Sequence, residues 1–112
     1  MAGLIYLASP YSHQSAAVRE ARYLAARSYT IHAIQQGYAM FSPIVYGRAM
    51  ETQIGTDYLS WKEFNDAMVR ASASVWVLRI YGWENSKGVS YEVNFARELK
   101  LPVAYVDPRE LP

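Results

Sequence analysis

At 112 residues, with 52% apolar and 19% charged side chains, the chain is sized to fold as one domain, residues 1–112, around its own core. A formal charge of +1 excludes a broad basic surface for a nucleic-acid polymer or an anionic membrane, leaving a small nucleoside or nucleotide as the nucleic-acid-related partner. Without cysteine there is no disulfide, thiolate nucleophile or thiolate metal site, and His13 and His32 stand at unrelated positions that make no metal site.

Leu4 to Ala8 is apolar nearly throughout, which predicts a central strand covered on both faces. Met1 to Leu7 is too short for a signal peptide, and no apolar run approaches membrane-spanning length, so a cytoplasmic protein is expected. The turn-forming cluster Ser9-Pro10-Tyr11-Ser12-His13 ends the strand. Gln14 to Gln36 reads as a helix whose inner face is Ala17, Ala21, Leu24, Ala25, Ser28, Ile31 and Ile34, with Arg19, Glu20, Arg22 and Arg27 mostly on the other side. Gly37 suits the helix end.

Tyr38 to Phe41 predicts a second strand, closed by Ser42-Pro43. Ile44 to Ile54 is ambiguous, with a short helix over Arg48 to Glu51 and a break at Gly55-Thr56-Asp57. Tyr58 to Ala71 is a clearer helix, capped by Asp57 or Thr56, with Leu59, Trp61, Phe64, Met68 and Ala71 as its apolar side. Ser74 to Ile80 is a third strand, followed by the turn-rich Tyr81 to Asn85. A helix then runs from a Ser86 N-cap to about Lys100, and Val103 to Val106 forms a last strand. The polar, Pro-containing tail, Asp107 to Pro112, is expected to fray.

Strands alternating with helices predict an α/β domain with a parallel sheet of four to five strands and helices on both faces. In such sheets ligands bind beyond the C-terminal strand ends. The loops there are Ser9 to His13, Ser42 to Arg48 and Tyr81 to Gly88. The strand, the Gly88 turn and the helix opening on it offer unpaired N–H groups to an anion. Glu92, in the second turn of that helix, leans back toward the same rim. Aromatic residues reach 14%, and Tyr11, Tyr46, Tyr58, Tyr81 and Trp83 fall in or beside loops. They either pack over the core or an interface, or stack on a flat heterocycle.

Tyr6-Leu7-Ala8-Ser9-Pro10-Tyr11, Asn65-Asp66, and Ser86-x-Gly88-x-x-x-Glu92-x-x-x-Ala96, in this order and spacing, resemble the nucleoside 2-deoxyribosyltransferase superfamily. Gly82-Trp83-x-x-Ser86 resembles, more narrowly, its small bacterial and phage branch DUF1937. The resemblance implies a flavodoxin-like, Rossmannoid sheet, cleavage of an N-glycosidic bond without metal or cofactor, and a homodimer or larger homo-oligomer. It also implies roles: Glu92 as nucleophile at the anomeric carbon, Asp66 handling the proton of the leaving base, Tyr6 holding nucleophile and sugar. Ser9, Pro10, Tyr11, His13, Trp83, Ser86 and Gly88 are the expected substrate contacts. Serine at position 86, where the deoxyribosyltransferases proper have an acidic residue, matches the branch that hydrolyses nucleoside 5′-monophosphates. A carboxylate there would repel a phosphate that Ser86 and the neighbouring amides accept, with Lys87, Arg19 or Arg48 to balance its charge.

Plainer readings stand beside these. Glu92 is then a solvated helix carboxylate, Asp66 a surface partner of Arg70 at i+4, Tyr6 ordinary strand core and His13 a loop residue. The function that goes with them is a nucleotide-binding or sensing module that does not turn over. A flavin carrier is disfavoured, because the first strand-to-helix loop lacks a Thr/Ser/Gly-rich phosphate cradle.

Overall fold

The computed structural model describes residues 3–112, apart from the side chain of Tyr58. Strands β1 (Leu4–Ala8), β2 (Ala39–Phe41), β3 (Ser74–Leu78) and β4 (Val103–Val106) form one sheet in the order β2-β1-β3-β4. All pairings are parallel, with Tyr6 level with Phe41 on one side and with Val75 on the other. The chain steps outward from β1 in opposite directions to reach β2 and β3. The crevice between the two crossovers is where a flavodoxin-like sheet receives its ligand.

Alternation along the strands divides the core in two. Ile5, Leu7, Trp76 and Leu78 face helix α1 (Ala16–Gln35), where Tyr29 and Ala33 meet them. Tyr6, Ala8, Val75 and Val77 face the other way, toward Val69 of α4 (Tyr58–Ala71) and Val89, Val93 and Ala96 of α5 (Lys87–Glu98). Helices thus cover both faces, as the strand–helix alternation predicts.

The inner side of α1 differs from the periodicity-based expectation. Arg22, Ala26, Tyr29, Thr30 and Ala33 are buried, whereas Ala17, Ala21, Leu24, Ser28, Ile31 and Ile34 are exposed. The helix carries apolar residues on both sides, so local pattern does not choose between them. The sheet does, by offering a surface that the Tyr29 ring and two alanines fit closely. On α4 the buried side is likewise rotated: Asp66 and Val69 point inward, while Leu59 is 74% exposed.

Two further corrections are local. Residues 44–54 hold two short helices, α2 (Pro43–Arg48) and α3 (Glu51–Ile54), and the expected Arg48–Glu51 helix is instead the break between them. Ser42 caps α2 by accepting from Val45 N–H at 3.2 Å, with Pro43 in the first turn, where its missing N–H costs nothing. The tail is docked and does not fray. Tyr29 and Tyr38 hydroxyls donate to the Glu110 and Pro112 carbonyls at 3.0 and 2.7 Å, and Leu111 packs on the α1 side of the core.

Candidate functional site

Ser86 caps α5, its Oγ accepting from Val89 N–H at 3.2 Å. From that start Val89, Val93 and Ala96 recur on one side of the helix and bury it on the sheet. Glu92 follows Val89 by three residues and so shares this side. It reaches the sheet where β1 presents Tyr6, which is fully buried, and the Tyr6 hydroxyl donates to the Glu92 carboxylate.

Burial dominates the proton affinity of both groups. It pushes Glu92 up to about 8, against a lowering by the Tyr6 hydrogen bond, and nearby Asp66 adds to the rise. The Tyr6 phenol is raised well above its ordinary value, first by burial and then by the adjacent Glu92.

Asp66 is buried, but its partner is not Arg70. Lys62, one turn earlier on α4, donates to Oδ2 at 2.7 Å, and the Tyr91 hydroxyl reaches both carboxylate oxygens at 3.0 and 3.1 Å. Arg70 instead lies over the Phe95 ring. The hydrogen bonds of Asp66 and Tyr91 raise the affinity of Lys62 for its proton.

Glu92 and Asp66 line one cavity of about 170 Å³. Trp61, Lys62 and Asn65 extend its wall along α4, Tyr11 comes from the loop after β1, Arg48 from α2 and Gly88 from α5. Tyr11 donates to Glu51 at 2.9 Å, and Arg48 pairs with Glu20 and Glu51, so α2 and α3 are tied to the rim. Asn65 Oδ1, which is buried, has no hydrogen-bond partner among the described residues. A polar atom in that state beside a cavity marks a place for a ligand donor.

An open groove of about 590 Å³ adjoins this cavity and shares Tyr11 and Ser12 with it. His13, Arg22, Glu84, Ser86 and Lys87 also line the groove. Arg22 donates to the Ser12 carbonyl at 2.8 Å and lies over the Tyr81 ring, yet its buried Nε has no partner among the described residues. Gly82 makes this approach possible: its φ is +86°, and a Cβ there would run into the Arg22 guanidinium.

The structure therefore brings Glu92, Asp66, Tyr11 and Gly88 to one cavity and His13 and Ser86 to the adjoining groove. Tyr6 joins the cavity through Glu92. Ser9 and Pro10 are buried in the chain reversal after β1, and Trp83 packs on the core and against Tyr105, so none of the three lines either space. The side chain of Tyr58 lies outside the described residues. Arg19 is occupied by the His13 and Gln14 carbonyls, and Arg48 faces the cavity, away from the groove. Lys62 was legible in the sequence by the same four-residue rule that suggested Arg70. Arg22 and Tyr91 left no local signal.

Fold and site together define a flavodoxin-like α/β domain with a cavity at the topological switch point, largely apolar in its walls and carrying two carboxyl groups. The chain belongs to the family described as "Domain of unknown function (DUF1937)", whose model matches residues 3–107. Comparison with curated proteins finds no match. Among the described residues no helix is long and apolar enough to cross a membrane, and no three His, Asp or Glu side chains are grouped to hold a metal.

Proposed function

We propose that this protein cleaves the N-glycosidic bond of a nucleoside or nucleoside 5′-monophosphate. The observation that carries the reading is the pairing of two differently supported carboxyl groups on one cavity: Glu92 held by the Tyr6 hydroxyl, and Asp66 held by Lys62 and Tyr91. Glycosyl transfer needs two such groups in unlike environments.

In this reading ionised Glu92 attacks the anomeric carbon as the carbon–nitrogen bond breaks, and Asp66 passes to the departing base a proton supplied by the Lys62 ammonium that donates to it. Lys62, partly open to solvent, regains that proton from water, and Tyr91 keeps the Asp66 carboxylate in place. Water, or a second base, displaces the sugar from Glu92. Trp61 and Tyr11 supply aromatic surface for the base. The groove takes a 5′-phosphate, with the buried Arg22 guanidinium, Lys87 and the Ser86-capped helix end as its cationic lining.

Incubation with nucleosides and 5′-monophosphates, read as free base by chromatography, tests this. Base release that Glu92→Gln abolishes without loss of ligand binding is expected. Arg22→Lys should raise KM for monophosphates and leave nucleosides nearly unchanged. A second reading, a nucleotide-binding module, is favoured by the Glu92 proton, which burial retains at neutral pH. It requires binding without release across the panel, with Glu92→Gln binding as the native chain does.

A further inference from the structure

The groove beside the cavity is too large for a single phosphate. At about 590 Å³ it has the size of a site for a whole small molecule, against about 170 Å³ for the cavity that takes the base. Its cations are Lys87, in the first turn of α5, and Arg22, which is only 8% exposed and whose Nε has no partner among the described residues. The rest of the lining is not phosphate chemistry. Tyr81 stands 79% exposed with the Arg22 guanidinium over one face of its ring, so the other face is open to a flat ligand. Glu84 adds a carboxylate to the same space. His13 Nδ1 accepts from the Ser15 N–H at 2.9 Å, which leaves its Nε2–H as a donor there.

We propose that the groove holds the second nucleotide of a dinucleotide whose halves are joined through a 5′,5′-pyrophosphate. The proposal rests on the placement of a nucleoside in the cavity under the cleavage reading, and it names the substrate class of that site. Charge selects the ligand. Arg22 and Lys87 match the two negative charges of a pyrophosphate diester, whereas a free diphosphate or triphosphate brings further charge that Glu84 repels. Toward a second nucleoside the same carboxylate is an asset, because it accepts hydrogen bonds from the ribose hydroxyls. The open face of Tyr81 then stacks on the second base. The cavity and the groove meet at Tyr11 and Ser12, in the loop after β1, so one extended ligand spans both. The first amides of α5 and the buried Arg22 guanidinium face its phosphates.

Calorimetric titration of Glu92→Gln, which does not turn over in the cleavage reading, with AMP, ADP, diadenosine pyrophosphate and NAD separates the contributions. The better of the two dinucleotides should bind roughly ten- to a hundredfold tighter than ADP, the effect of stacking one further base. Tyr81→Ala, added to Glu92→Gln, should bring that ratio close to one, and Tyr81→Phe should keep it. Dinucleotides that bind no more tightly than ADP, or an advantage that Tyr81→Ala leaves intact, overturn the proposal. Base release by the native chain is read separately. Tyr81-dependent dinucleotide binding without release overturns the cleavage reading and upholds the groove assignment. Release from monophosphates with no preference for dinucleotides upholds the cleavage and overturns the groove assignment.

Discussion

The Tyr6 hydroxyl donates to the Glu92 carboxylate across 86 residues of sequence, joining the central strand to the second turn of α5. Tyr6 is fully buried and Glu92 largely withdrawn from water, so each governs how the other holds its proton.

A first consequence concerns stability and pH. Folded Glu92 binds its proton up to about pH 8, against an ordinary value of 4.5. Its contribution to stability is thus full below pH 4.5 and is lost as pH rises to about 8. Each pH unit between those two values corresponds to about 1.4 kcal/mol, so the loss is on the order of a few kcal/mol. Glu92→Gln keeps the volume and an acceptor for Tyr6 but does not titrate. It should match the native melting temperature near pH 4.5 and exceed it at pH 9 in parallel thermal melts.

In the catalytic reading the same group sets the acid limb of the rate profile. Activity requires the carboxylate, so kcat/KM should rise with pH through about 8. Tyr6→Phe removes the hydrogen bond that lowers this value, so the limb should move to higher pH. A hydrogen bond to a charged group contributes about 1.5–3 kcal/mol, so a displacement of roughly one to two pH units is expected. Steady-state rates across pH 5–10 would measure it.

Asp66→Asn removes the proton donor and should lower kcat by roughly 10²–10⁴-fold, with substrate binding largely kept. Lys62→Met should also lower kcat, because Asp66 loses the group that supplies the proton it passes to the base. Its effect on the melting temperature should be smaller, since Lys62 is partly in solvent. Single-turnover rates paired with thermal melts separate the two effects.

Gly82→Ala should destabilise the fold by about 1–3 kcal/mol, because the residue sits at positive φ and a methyl group displaces Arg22. The same displacement should weaken monophosphate binding in the catalytic reading. Urea denaturation measures the first and calorimetric titration with a 5′-monophosphate the second.

Ending the chain after Asp107 removes Leu111 and the carbonyls that Tyr29 and Tyr38 engage. The expected loss is about 2–4 kcal/mol, from partial burial of one leucine and two hydrogen bonds. A truncated chain as stable as the full one in urea would contradict the docked tail.

The amino-acid sequence by itself determined what depends on near neighbours. The order of the four strands and of the long helices α1, α4 and α5 follows from periodicity and turn chemistry, the start of α5 from the Ser86 cap, and the lean of Glu92 toward the sheet rim from its place in the second turn. Only the tertiary structure decided the rest. Alternation put Tyr6 and not Leu7 on the side that meets Glu92, and the sheet surface turned Arg22 inward and Leu24 outward on a helix whose pattern suits either. Asp66 found Tyr91 because α4 and α5 lie side by side, whereas Lys62 is one turn away on its own helix. The reason is common to these cases: a cap or a turn is satisfied within a few residues, whereas the partner of a buried charge or aromatic depends on which distant surface arrives opposite it.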